Sequence, residues 1–195
     1  MSKSDPSSAK RERNKQIRWI VTIFLVTIVI SAVITFVSSE VMAGSSMPVA
    51  FIILFAIIIL GIVFDIIGVA VTSADEKPFH SMAARKVPGS QEAIRLLRNA
   101  SRVGSICNDV VGDICGVVSG AASATIAAQI VNNFSFSMPQ VISLAMSALA
   151  AALTVGGKAM GKSFAIRSCT QIVHGTGKVI WVFHRIPQQL SRKKK

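Results

Sequence analysis

Little of this sequence carries charge and less of it is aromatic. Asp, Glu, Lys and Arg make up 15% of its 195 residues and Phe, Trp and Tyr 6%, against 51% hydrophobic residues and a mean hydropathy of +0.58. An ordinary soluble domain, in which about a quarter of residues are charged, is excluded by that balance. Cysteine is scarce as well: Cys107, Cys115 and Cys169 are too few for a disulfide framework, and reduced thiols on or near the cytoplasmic side are expected. The chemistry-bearing motifs are also missing. There is no Gly-rich phosphate loop, no HExxH and no Cys–His cluster of zinc spacing, and His80, His174 and His184 lack ligand spacing. Nothing therefore argues for an enzyme or for a resident cofactor.

What the sequence does have is long apolar runs. Trp19 to Val37 contains no charged residue and Val49 to Val71 contains one, Asp65. Each reaches the roughly 18–20 residues that a bilayer core of about 30 Å demands of a helix. A signal peptide would precede its apolar region with basic residues, as this chain does, but the first run exceeds an h-region of about 7–15 residues and a second span follows at once. Two weaker segments, about 103–131 and 140–157, complete four expected spans.

The net charge of +12 would suggest nucleic acid in a soluble chain; here its distribution points to a membrane instead. Of the 21 Lys and Arg residues, six precede Trp19, six lie from Lys77 to Arg102 and nine from Lys158 to Lys195. The short connections Ser38 to Pro48 and Asn132 to Pro139 carry none. Basic residues are retained on the cytoplasmic side of membranes, so both termini are expected inside, beside anionic inner-leaflet lipids. Residues 1–17 are Ser-, Lys- and Arg-rich and read as a disordered tail. Between the second and third spans, Pro78 to Arg102 reads as two short cytoplasmic helices split by Pro88-Gly89-Ser90, with Ser90 as N-cap and Gln91 and Glu92 in the first turn. In the second of these, Ile94, Leu97 and Val103 alternate with Arg95, Arg98 and Arg102, which suits the headgroup layer. From Lys162 to His184 an amphipathic belt helix in the inner leaflet is expected, followed by a basic tail. Asn133-Phe134-Ser135 matches a glycosylation acceptor on the outer side, a triplet common by chance. The expected fold is thus an all-α membrane protein with four transmembrane helices, cytoplasmic juxtamembrane helices and a C-terminal amphipathic belt.

Ionisable groups within spans cost at least about 2.5–3.5 kcal/mol each, so Asp65, Asn108, Asp109, Asp113 and Lys158 are the candidate functional set. Asp109 and Asp113, four apart, share a helix face, and Asn108 lies about 100° away. Carboxylate and amide oxygens suit a hard divalent cation such as Mg²⁺. Equally, Lys158 could neutralise one or two aspartates in a pair that only holds the bundle together. Gly112, Gly116 and Gly120 recur every fourth residue, the small-xxx-small spacing that admits a close helix neighbour, within one bundle or in a homodimer.

The order of these features resembles the transmembrane domain of the CNNM/CorC (CorB-like) Mg²⁺ and Co²⁺ transport family. Ala70-Val71-Thr72-Ser73 is similar to the motif closing that family's first helix, and Leu96-Leu97-Arg98-Asn99-Ala100-Ser101-Arg102 to its Leu-Leu-x-Asn-Pro-x-Arg stretch. Ile106-Cys107-Asn108-Asp109 falls at its Gly-Asn motif, and Gly157-Lys158-Ala159-Met160-Gly161-Lys162 at its Gly-Glu-x-x-Pro-Lys motif. The likeness covers about 48–188, leaving 18–47 as an extra N-terminal helix with its external turn and 189–195 as the basic tail. It implies a divalent-cation transporter, with the cation among Asp65, Asn108, Asp109 and Asp113 and Lys158 as tethered counter-ion or gate. Asn108 alone keeps its type among the family's site positions: Asp65 and Ile67 stand for its two serines, Lys158 for its glutamate. The nucleotide-sensing CBS pair and acidic CorC-type domain of the family are not in this sequence, so adenine-nucleotide regulation is not expected. The alternative is a scaffold or regulatory membrane protein that kept the fold and lost the ion site.

Overall fold

The structure is a computed structural model that describes residues 6–43, 45–134 and 138–192; the final three lysines and Ser135 of the acceptor triplet lie outside them. The described residues form helices and no strand: α1 (Pro6–Ala43), α2 (Met47–Ser73), α3 (Lys77–Ala84), α4 (Ser90–Arg98), α5 (Ala100–Ser105), a π-helical segment (Ile106–Gly112), α6 (Asp113–Phe134), α7 (Pro139–Arg167) and α8 (Cys169–Arg192). Four stretches are long and apolar enough to cross a membrane: Arg13–Met42, Met47–Ser73, Ala100–Asn133 and Pro139–Arg167. The third is continuous through α5, the π segment and α6.

α2 is the hub. Its 27 residues reach about 40 Å at helical rise, and it packs on α6, α7, α8 and the π segment. Its buried face repeats at helical spacing through Ala50, Leu54, Ile57, Ile58, Gly61, Asp65 and Gly68. Towards one end, Ala50, Leu54 and Ile58 pack with Met42 of α1 and Ala122 and Ile126 of α6. Gln129 closes that end by donating from Nε2 to the Met42 carbonyl at 3.4 Å. In the middle, Ile57 meets Val110, Ile114, Cys115 and Val118, and Ile23, Ile30 and Ile34 bring α1 onto them. At the far end, Ala70 and Val71 join Phe79, Ala93, Ile94, Ala165 and Val173 in a core shared by α2, α3, α4, α7 and α8.

That far end gathers the basic connections. Trp19 of α1 lies under the Arg102 guanidinium of α5, 5.2 Å from ring centroid to Cζ, and Gly104 of α5 packs on Thr72 of α2. The turn between α3 and α4 meets α8 at two glycines. A Cβ on Gly89 would stand 2.5 Å from the Lys178 amide nitrogen, and one on Gly177 would stand 2.5 Å from the Gly89 carbonyl oxygen. Gly89 also has φ +84°, a left-handed backbone that side chains disfavour. His174 adds a contact from Nε2 to the Pro88 carbonyl at 3.2 Å.

Several expectations are corrected. α1 starts at Pro6, so residues 6–17 are helical rather than a disordered tail; Ala9 to Ile17 holds neither Gly nor Pro and is rich in Lys, Arg, Glu and Gln, good helix formers. Gly89, not Ser90, caps α4; Ser90 is the first helical residue and donates its hydroxyl to the Val87 carbonyl at 2.7 Å. The apolar face of α4 is turned onto protein, with Ala93 and Ile94 buried in the shared core. α7 does not stop at Gly156-Gly157 but runs on to Arg167, and Gly157 and Gly161 serve packing: a Cβ on Gly157 would meet Ile62 Cδ1 at 2.3 Å and one on Gly161 would meet Ile66 Cγ1 at 2.8 Å, while one on Gly156 would meet nothing within 4 Å. The break falls instead at Ser168, after which the amphipathic helix begins. The three cysteines are free thiols.

Candidate functional site

Gly61, Asp65, Gly68 and Thr72 fall at spacings of four, three and four, so they line one face of α2. The helix that runs through α5, the π segment and α6 lies along that face in the opposite direction. Gly104 sits against Thr72, Asn108 and Cys107 against Gly68, Gly112 against Asp65, and Cys115 against Gly61. The approach is closest at Gly68, where a Cβ would stand 2.0 Å from Asn108 Oδ1 and 3.0 Å from Cys107 Cβ. Asp65 lies eight residues, about 12 Å, from the end of α2 at Ser73. It is 4% exposed.

α7 enters from the side. Its glycines 157 and 161 receive Ile62 and Ile66 of α2, which draws the intervening Lys158 inward. The Lys158 Nζ donates to the Gly112 carbonyl at 3.1 Å and reaches Asp113 Oδ1 at 3.4 Å. A Cβ on Gly112 would lie 3.3 Å from that ammonium and 3.7 Å from Asp65 Oδ1. The ammonium and the buried carboxylate thus flank one glycine, and a methyl group there would press on the ammonium and touch the carboxylate.

Two oxygens at this junction are buried and have no hydrogen-bond partner: Asp65 Oδ2 and Asn108 Oδ1. A buried acceptor left unmade costs about 1–3 kcal/mol, more when charged. Such groups are rare enough to require an explanation, an ion or water among them. Lys158 does not supply one, since among the described residues its ionic partner is Asp113, not Asp65.

The sequence-derived set therefore divides. Asp65 is buried and Asn108 is half-buried with its carbonyl oxygen enclosed, whereas Asp109 and Asp113 share a face as their spacing requires, but it is the outward one. Asp113 is 71% exposed at its side chain, against 18% for Lys158. Among the described residues, no three His, Cys, Asp or Glu side chains converge into a group that could hold a metal. The glycine stripe divides likewise: Gly112 is tightly enclosed, while a Cβ on Gly116 or Gly120 would have nothing within 4 Å. The contacts of α6 within the chain use Ser119, Ala122, Ser123, Ile126 and Ala127, all buried.

Sequence reading missed the π segment and the Gly112 carbonyl that Lys158 grips. A signal was present. Small or polar residues facing α2 recur at 104, 108 and 112, a spacing of four and four, where an α-helix alternates four with three. Closing hydrogen bonds from i to i+5 accommodates the surplus, and such π turns concentrate at functional sites.

Compared with protein-family models, curated proteins and solved structures, the chain matches none.

Proposed function

We propose that this chain is a multi-pass protein of a bacterial plasma membrane that binds and moves a small divalent cation of the Mg²⁺/Co²⁺ class, a minimal transporter built like the CNNM/CorC transmembrane domain. One observation carries the reading: two oxygens of the kind that hard cations take, Asp65 Oδ2 and Asn108 Oδ1, are buried without donors at one helix crossing. Asp65 would supply the charge and Asn108 a neutral ligand. Asp113, with Lys158 against it, would stand beside the site as a counter-ion pair, and Asp109 would add a carboxylate on the outward face next to it. Burial of a carboxylate in hydrocarbon without such a role is costly, which supports function over chance.

The placement of charge supports both termini inside. The end of the bundle where Trp19 meets Arg102 also holds α3, α4, the turn between them and the end of α7, which bear Lys77, Arg85, Lys86, Arg95, Arg98, Lys162 and Arg167. Trp19 at that level suits a membrane interface. The exposed Val179, Val182 and Phe183 of α8 would enter the inner leaflet as a belt beside anionic headgroups. A homodimer would cover the open α6 face that carries Gly116 and Gly120.

Proteoliposomes test this. Wild-type protein is expected to carry Mg²⁺ or Co²⁺ down a gradient, Asp65→Asn and Asn108→Ala to lose about tenfold or more of the rate, and Lys158→Glu to change it. Wild-type vesicles no leakier to either ion than empty ones would end the transport reading.

One observation favours a second reading. Asp109 and Asp113 point outward and Lys158 is already engaged, which is the arrangement of a scaffold that kept the fold without the ion. Thermal-shift titration separates the two, because a cation bound only by the native state raises stability by RT ln(1 + [L]/Kd) and a scaffold shows no such rise.

A further inference from the structure

The helix holding Asn108 and Asp109 is π-helical from Ile106 to Gly112 and α-helical on both sides. A segment with one residue too many per turn is a local excess that can be passed along the helix, at the cost of turning the residues it passes. Two features mark its end. Lys158 Nζ grips the carbonyl of Gly112, the last residue of the segment, at 3.1 Å. The second is the absence of a side chain at Gly112: a Cβ there would press on the Cys107 carbonyl, five residues back, at 3.2 Å, and on Lys158 Nζ at 3.3 Å.

We infer that Lys158 is a positioning residue, whose hold on the Gly112 carbonyl fixes the π register and so selects Asn108 rather than Asp109 as the side chain turned towards α2 and Asp65. If the ammonium lets go, the surplus residue moves towards α5, and 106–112 continue the α-helix of α6. At 100° per residue in place of the smaller step of a π turn, Asn108 swings across the α2 face. Asp109 then turns in from the outward face to about the place Asn108 held. The crossing would exchange a neutral amide for a second carboxylate beside Asp65. Two carboxylates make a stronger cation site than a carboxylate and an amide, so the register sets the affinity. The inference deepens the cation reading and rests on it for that consequence, but the register itself requires no ion.

The test is site-resolved maleimide labelling of full-length protein in detergent, read by mass spectrometry, with Asn108→Cys or Asp109→Cys introduced singly. With Lys158 present, the thiol at 109 is expected to react at least about tenfold faster than the thiol at 108, since only the former side chain is exposed. Lys158→Arg, which can still donate to the carbonyl, should keep that ratio. Lys158→Met should lower it by about tenfold, and so should Gly112→Ala, which leaves the charge in place but crowds the π turn. Buried Cys115 is the internal control and should stay unlabelled throughout. An unchanged ratio in both Lys158→Met and Gly112→Ala overturns the inference. Loss of Cys115 protection in both overturns it too, because Lys158 would then hold the fold and not the register. Absence of Mg²⁺ flux in wild type would end the transport reading while leaving the labelling ratios intact, so the two failures are distinguishable.

Discussion

Gly68 and Asn108 meet backbone to side chain: the space where a methyl group would grow on Gly68 is filled by Asn108 Oδ1, 2.0 Å from that position. Gly68→Ala must therefore push Asn108 or part the two helices. The expected loss is about 1–3 kcal/mol, the usual cost of overpacking, read as a lower unfolding temperature in detergent.

The glycines of the second and third spans separate into two kinds. Gly61→Ala would drive a methyl to 2.8 Å from Cys115 Cβ, an atom too near its own backbone to yield, and the same 1–3 kcal/mol is expected. Gly116→Ala meets open space within one chain and, in monomeric protein, should be neutral or stabilising by up to about 1 kcal/mol through helix propensity. Thermal unfolding of the two variants side by side checks the contrast.

Phe79 is 0% exposed and is the largest fully buried side chain among the described residues. Phe79→Ala should cost about 3–5 kcal/mol. Because Phe79 sits in the core joining α3 and α4 to α8, limited proteolysis should then cut first between Lys77 and Arg98 rather than within the spans.

The proposed orientation makes a direct prediction in intact cells. Ser46→Cys, in the exposed connection between α1 and α2, should react with a membrane-impermeant maleimide added outside. Lys86→Cys, between α3 and α4, should react only after permeabilisation. The reverse pattern would invert the topology.

Much of the architecture was legible because hydrocarbon is an exacting solvent. Runs such as Val49 to Val71 can hardly do anything but span, and Pro88-Gly89 can hardly continue a helix. Asp65 stood out for the same reason, one carboxylate in 23 residues, and it is buried. The fate of Asp109 and Asp113 was not legible. Spacing places them on one face, but which face depends on how far the helix winds before reaching them, and the π turn alters that by a fraction of a turn. Nor did Gly156-Gly157 announce whether α7 ends there or Gly157 admits a neighbour; only the presence of Ile62 opposite Gly157 decides. Local propensity reads termination there, and tertiary contact overrules it.

The crossing of Gly89 and Gly177 has a mechanical consequence. Main chain lies against main chain there, with no side chain between to flex or slip, so the α3–α4 turn and the third turn of α8 behave as a single weld. Any roll of α8 must therefore be passed whole to α4, and through Ala93 and Ile94 to the Ser73 end of α2.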